Sequence, residues 1–140
     1  KLSLSKKNKD ITLTEDFLDS IEYKDKNSYL ILNLIYSGID YKPSSKSNLQ
    51  EQDHIFSRKE LKDEGIETSK INKIYNIRYT ESGNNKRKSF TSYSEWIKSL
   101  TESEKQTHLI PDGKWDVNSY DKFLEARKKM ILNKIKSSIV

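Results

Sequence analysis

Apolar residues fall in short clusters separated by polar stretches, and their spacing changes along the 140-residue chain. Residues 1–10 are basic and polar without periodicity, a frayed lead-in. Phe17, Leu18 and Ile21 share a helical face. With Thr12 and Glu15 placed as a capping box, they predict a short helix from about Glu15 to Tyr23. Leu30, Ile31, Leu34 and Ile35 form a second stripe, capped by Asn27 or Ser28 and ended by Gly38. Asp40 to Asn48, with Pro43 and a Ser/Lys-rich run, reads as a loop. Leu49 to Phe56 reads as a strand and Ile74 to Thr80 as a second extended segment. The polar stretch between them includes a helical turn around Arg58 to Asp63, so the whole is a hairpin with a long connection. Ser82 to Phe90 opens a helix whose first turn carries Asn84 and Asn85. Ser92 with Glu95 caps another through Trp96, Ile97 and Leu100, and a short one spans Glu102 to Thr107. Tyr120, Phe123, Leu124, Arg127, Ile131 and Ile135 recur at helical spacing from about Ser119 to Ser138, the longest amphipathic element in the chain.

Composition narrows the function. Charged residues make up 34% and apolar ones 33%, with a mean hydropathy of −0.90, so the core is expected to be modest. Lys and Arg number 26 against 21 Asp and Glu, a formal charge of +5, which makes nucleic acid the leading candidate partner. The absence of cysteine excludes disulfides, thiolate zinc sites and cysteine nucleophiles, so any metal is held by oxygen or imidazole. The longest apolar run, Tyr29 to Tyr36, is broken by Asn33 and is too short to cross a bilayer. No segment reads as a secretory signal, so the expected compartment is the cytoplasm, without membrane contact. A first residue that is Lys rather than Met suggests a trimmed chain or the C-terminal part of a longer polypeptide.

Two histidines, His54 and His108, are the only side chains whose ordinary pKa suits a general base near neutral pH. His54 follows Asp53 directly. Further on come Asn76 and then Asn85, which opens the run Asn85-Lys86-Arg87-Lys88-Ser89. A phosphodiester is hydrolysed when a base takes a proton from the attacking water while a hard divalent cation neutralises charge on the phosphate oxygens. Asp53 and Asn85 are oxygen ligands that Mg²⁺ or Mn²⁺ accepts, leaving positions for water and substrate. His54 is a neutral base at cell pH. Lys86, Arg87 and Lys88 are cations suited to flanking phosphates. One tension stands in this reading: strand neighbours point to opposite faces, so for Asp53 and His54 to serve one phosphate the strand must bend or end there.

Asp53-His54-Ile55, Asn76 and Asn85-Lys86-Arg87-Lys88-Ser89 resemble the signature of HNH endonucleases. Their core is a β-hairpin followed by a helix around one metal ion. The resemblance spans about Leu49 to Ser92. It implies Asp53 and Asn85 as metal ligands, His54 as the base that activates water, and Asn76 as a scaffold residue fixing the loop that positions His54. Where the family has Pro shortly after the His-Ile pair this chain has Ser57, which implies a less rigid exit from the first strand. The helix Tyr29 to Tyr36 leading to Gly38, the stretch His108-Leu109-Ile110-Pro111, Trp115, and Phe123-Leu124-Glu125-Ala126-Arg127 are similar to the C-terminal nuclease domain of GmrSD-type modification-dependent restriction enzymes. That wider likeness implies an N-terminal nucleotide-hydrolysing domain in the same or a partner chain, and a role in restriction or phage defence.

Plainer readings stand beside these. Asn is common in turns whatever its function. Asn84 competes with Asn85 for the metal, and Glu81 fits a solvated helix entry better than a ligand position. His108 reads as a packed or capping residue before it reads as a further ligand, and Trp96, Trp115 and Tyr120 read as core. The expected fold is a single α+β domain. Residues 1–47 form a helical lead-in and linker, 48–92 a ββα-metal core, and 93–140 a helical cover. The expected activity is metal-dependent cleavage of DNA; the alternatives are an inactive nucleic-acid-binding module and a protein-interaction domain. One HNH site cuts one strand, so a double-strand break calls for a homodimer or a second visit.

Overall fold

In a computed structural model of the chain, the described residues are 15–36, 51–80 and 92–139. They form an α+β fold in which helices surround one small antiparallel sheet. The elements are α1 (15–19), α2 (Lys26–Ile35), β1 (Gln52–His54), α3 (Arg58–Asp63), α4 (Thr68–Ile71), a 3₁₀ turn (Ile74–Asn76), β2 (Ile77–Tyr79), α5 (Tyr93–Lys98), α6 (Glu102–Thr107), a second 3₁₀ turn (Val117–Ser119) and α7 (Tyr120–Ile139). No helix among them is long and apolar enough to cross a membrane.

The expected hairpin is present in shortened form. β1 pairs antiparallel with β2, with Gln52 opposite Tyr79, Asp53 opposite Arg78 and His54 opposite Ile77. β1 ends at His54 rather than at Phe56, because the chain bends at 55–56, and Leu49 and Gln50 of the expected strand lie outside the described residues. Ile74 to Asn76 is a 3₁₀ turn rather than part of the strand. Between the strands, α3 occupies the expected helical turn, and α4 is an added turn that no apolar stripe announces.

The stripe of α7 packs as its spacing requires: Tyr120, Phe123, Leu124, Arg127, Ile131 and Ile135 are all buried, against α2 and the first 3₁₀ turn. Each apolar side chain buried this way contributes about 1.5–3 kcal/mol. Tyr120 donates to the Lys70 carbonyl and Lys70 pairs with Asp121, tying α4 to the start of α7. In α2 the inward face differs from the expected one. Ser28, Ile31, Leu32 and Ile35 are buried, Leu30 is exposed, and Asp25 is the N-cap position in place of Asn27 or Ser28. The Ser28 hydroxyl instead serves the interior, accepting from Gln52 Nε2 on β1. The first helical segment ends at residue 19, short of Tyr23, because the chain turns there to meet the hairpin connection: Ile74 N donates to the Ile21 carbonyl and Tyr23 N to that of Asn72. Thr12, Gly38 and the helix expected over Ser82 to Phe90 lie outside the described residues.

Candidate active site

β1 alternates as a half-buried strand does. Gln52 and His54 face inward and Asp53 outward. The strand does end at His54, but the two side chains enter separate surroundings.

His54 keeps 9% of its surface exposed. Its Nε2 lies 2.9 Å from Asn72 Oδ1, and the Tyr23 ring packs on the imidazole with centroids 4.4 Å apart. Asn72 Oδ1 can only accept, so Nε2 carries the proton and the lone pair falls on Nδ1. Nδ1 makes no hydrogen bond among the described residues. Burial lowers the His54 pKa, and the nearby Arg58 charge acts in the same sense, while the Asn72 hydrogen bond and the Asp53 charge oppose them. The ring is therefore a neutral imidazole at neutral pH.

Asp53 is on the open side, its side chain 41% exposed, with Oδ2 3.3 Å from Arg78 Nη2 on β2. Arg78 is itself buried beneath the Trp96 ring at 4.4 Å and donates to the Tyr79 carbonyl. Oδ1 of Asp53 has no hydrogen-bond partner among the described residues.

Asn76 is fully buried and spans the bend that follows His54. Its carboxamide oxygen accepts from Phe56 N at 2.8 Å, its nitrogen donates to the carbonyls of Phe56 and Ile71, and its own carbonyl accepts from Ile55 N at 2.7 Å. Residues 55 and 56 therefore hang from one asparagine. Ser57, where the sequence resemblance implies a less rigid exit, does not loosen it. It caps α3 through a reciprocal box with Glu60, its backbone at φ −64° and ψ 150°. The same Glu60 carboxylate accepts from Tyr93 N, and the Tyr93 ring stacks on Phe56 at 4.3 Å.

Asn85, Lys86, Arg87 and Lys88 lie outside the described residues, as do Asn84 and Glu81. His108 caps α6 and is buried, its Nδ1 bonded to the Tyr36 hydroxyl and its ring set edge-on to Trp96. Among the described residues no three His, Asp or Glu side chains gather in a way that could hold a metal. The donor chemistry at hand, one outward carboxylate oxygen on Asp53, suits a hard divalent cation only if that ion takes its further ligands from elsewhere. Asn72, Tyr23, Arg78 and Glu60 were not singled out from the sequence. Each meets its partner across 18 or more residues, and nothing local marks such a contact.

Comparison with known protein families, curated proteins and solved structures found no match.

Proposed function

We propose that the chain is a metal-dependent endonuclease domain of the HNH type that hydrolyses DNA phosphodiester bonds. The observation that carries this reading is the state of His54. Its tautomer is set by Asn72 and its charge is suppressed by burial, while Asn76 holds the two residues that follow it, which leaves Nδ1 as a proton acceptor at the end of a strand whose preceding residue, Asp53, points outward. In this reading residues 48–92 form a ββα-metal core that works in the cytoplasm as part of a restriction or defence protein.

His54 Nδ1 takes the proton of the attacking water, the water oxygen bonds to phosphorus as the bond from phosphorus to the 3′ oxygen breaks, and that oxygen takes a proton from solvent, giving a 5′-phosphate and a 3′-hydroxyl. Asp53, through Oδ1, and Asn85 would hold Mg²⁺ or Mn²⁺, which when bound supplies neutralisation of the phosphate oxygens. Reach permits the pairing. Thr80 is hydrogen-bonded to Glu51, two residues before Asp53, and five residues of chain span up to about 17 Å. Lys86, Arg87 and Lys88 would grip flanking phosphates.

The test is nicking of supercoiled plasmid by the purified chain with Mg²⁺ or Mn²⁺, compared with His54→Ala. Loss of nicking with retained DNA affinity supports the base; nicking that survives in His54→Ala removes it. The pairing of Asp53 with the Arg78 guanidinium favours a second reading, an inactive DNA-binding module, because a cation already neutralises the carboxylate that a metal would use. DNA binding without nicking under any divalent ion selects that reading.

A further inference from the structure

We propose that Arg127 is a positioning residue for the candidate site: its guanidinium fixes the peptide groups around Asn76, and through them the bend that presents His54.

Arg127 sits in the apolar stripe of α7 and is fully buried, yet no carboxylate among the described residues pairs with it. Its donors go only to backbone carbonyls. Nη1 reaches Tyr75 at 2.9 Å, Ile77 at 2.8 Å and Ile74 at 3.4 Å, while Nη2 reaches His108 at 3.0 Å and Nε reaches Leu109 at 3.3 Å. Burying a guanidinium is costly, and Leu or Met would fill the stripe without that cost. What an apolar side chain cannot do is hold these carbonyls. Lysine, with three donors on one nitrogen, cannot reproduce five bonds from a planar fork.

The location of those carbonyls gives the inference its content. The Tyr75 carbonyl belongs to the peptide plane that leads into Asn76, so holding it sets the φ angle of Asn76 and the direction of its Cβ. The Ile77 carbonyl holds the backbone on the other side. From the opposite direction Asn76 grips residues 55 and 56 through its carboxamide and its own carbonyl. The same guanidinium anchors the His108-Leu109 corner, where Leu109 takes φ 54°, a conformation that a leucine adopts only when its surroundings impose it.

What the clamp does for catalysis rests on the nuclease reading; its geometry does not, and the experiment separates the two. In the full chain, Arg127→Lys is compared with Ile135→Ala, a cavity about two turns further along α7 that controls for lost stability. The carboxamide protons of Asn76 are followed by NMR. In Arg127→Lys their resonances shift and their protection from hydrogen exchange falls about tenfold or more, whereas Ile135→Ala lowers Tm and leaves the resonances in place. Unshifted Asn76 resonances in folded Arg127→Lys, or equal shifts in both variants, overturn the proposal. The nicking rate of Arg127→Lys at saturating DNA falls about a hundredfold with KM unchanged; a full rate overturns the positioning role. A wild-type chain that nicks nothing defeats the nuclease reading, and the Asn76 spectra still decide on the clamp. If Arg127→Lys does not fold, the unmodified protein decides. The Arg127 Nε proton and the Asn76 carboxamide protons then exchange through one shared opening, and an opening that frees Asn76 while Arg127 stays protected refutes the clamp.

Discussion

The two histidines are both buried, yet their surroundings differ in what they leave available. His108 is enclosed by Tyr36 and Trp96, with its backbone carbonyl under Arg127. No charged carboxylate faces it in those contacts. His54 is held by an amide oxygen on one edge and covered by Tyr23 on a face, while its other nitrogen makes no hydrogen bond among the described residues and an outward carboxylate precedes it in sequence. Residue type therefore decides little here. A base needs its tautomer fixed without its lone pair being consumed, and the contacts of His54 among the described residues meet both conditions.

The largest expected effect breaks this comparison most directly. His54→Ala lowers the nicking rate by about 10²–10⁴, and because the side chain is packed it also costs about 1–2 kcal/mol of stability. His108→Ala does the reverse, costing about 2–3 kcal/mol in denaturant unfolding through a lost hydrogen bond and a cavity, with the nicking rate of the folded fraction unchanged. Equal losses of rate in both variants would erase the distinction. Asn76→Ala comes next, at about 3–4 kcal/mol, because Phe56 N, Phe56 O and Ile71 O all lose a partner. Chemical denaturation reads the cost, and a variant within 1 kcal/mol of wild type, a limit of about one hydrogen bond, would mean that the bend does not hang from Asn76.

The legible parts of the fold are those that local spacing determines. The α7 stripe, the turn at Arg58–Asp63 and the short α6 follow from periodicity and capping residues that sit next to the elements they start. The α2 stripe was misread by part of a turn because Ser28, a polar residue, takes a core position to serve Gln52, and Leu30 gives up its place. Ile74 to Asn76 carries the apolar run of a strand but folds as a 3₁₀ turn, since both its faces are buried and its carbonyls are claimed by Arg127. Arg127 is visible in the sequence as a charge at a core-facing helical position, and its role is not, because the carbonyls it serves lie 18 to 53 residues away. Asn72 and Tyr23 are hidden by separations that are shorter but still non-local, so the side chains that touch His54 could not be read from its neighbours in sequence.

The smallest effect concerns the wall over His54. Asp19 accepts from the Tyr75 hydroxyl and from Lys128, and Lys73 donates to the Asp19 carbonyl, which pins the segment leading to Tyr23 against the hairpin connection. Partial burial raises the Asp19 pKa, but the hydrogen bonds and the cations outweigh it and hold the carboxyl below its usual value. A carboxyl depressed in the folded state stabilises the fold above the unfolded pKa and loses that contribution as pH falls through the folded value. Between pH 4 and more acid conditions, wild type should therefore lose stability that Asp19→Asn never had. With the side chain nearly half exposed, solvent screening keeps the difference under about 1 kcal/mol. Urea midpoints for the two proteins at pH 7 and pH 3 measure it. A gap that stays constant across that range would show that Asp19 acts by packing rather than by charge, and that acid leaves the Tyr23 wall where it is.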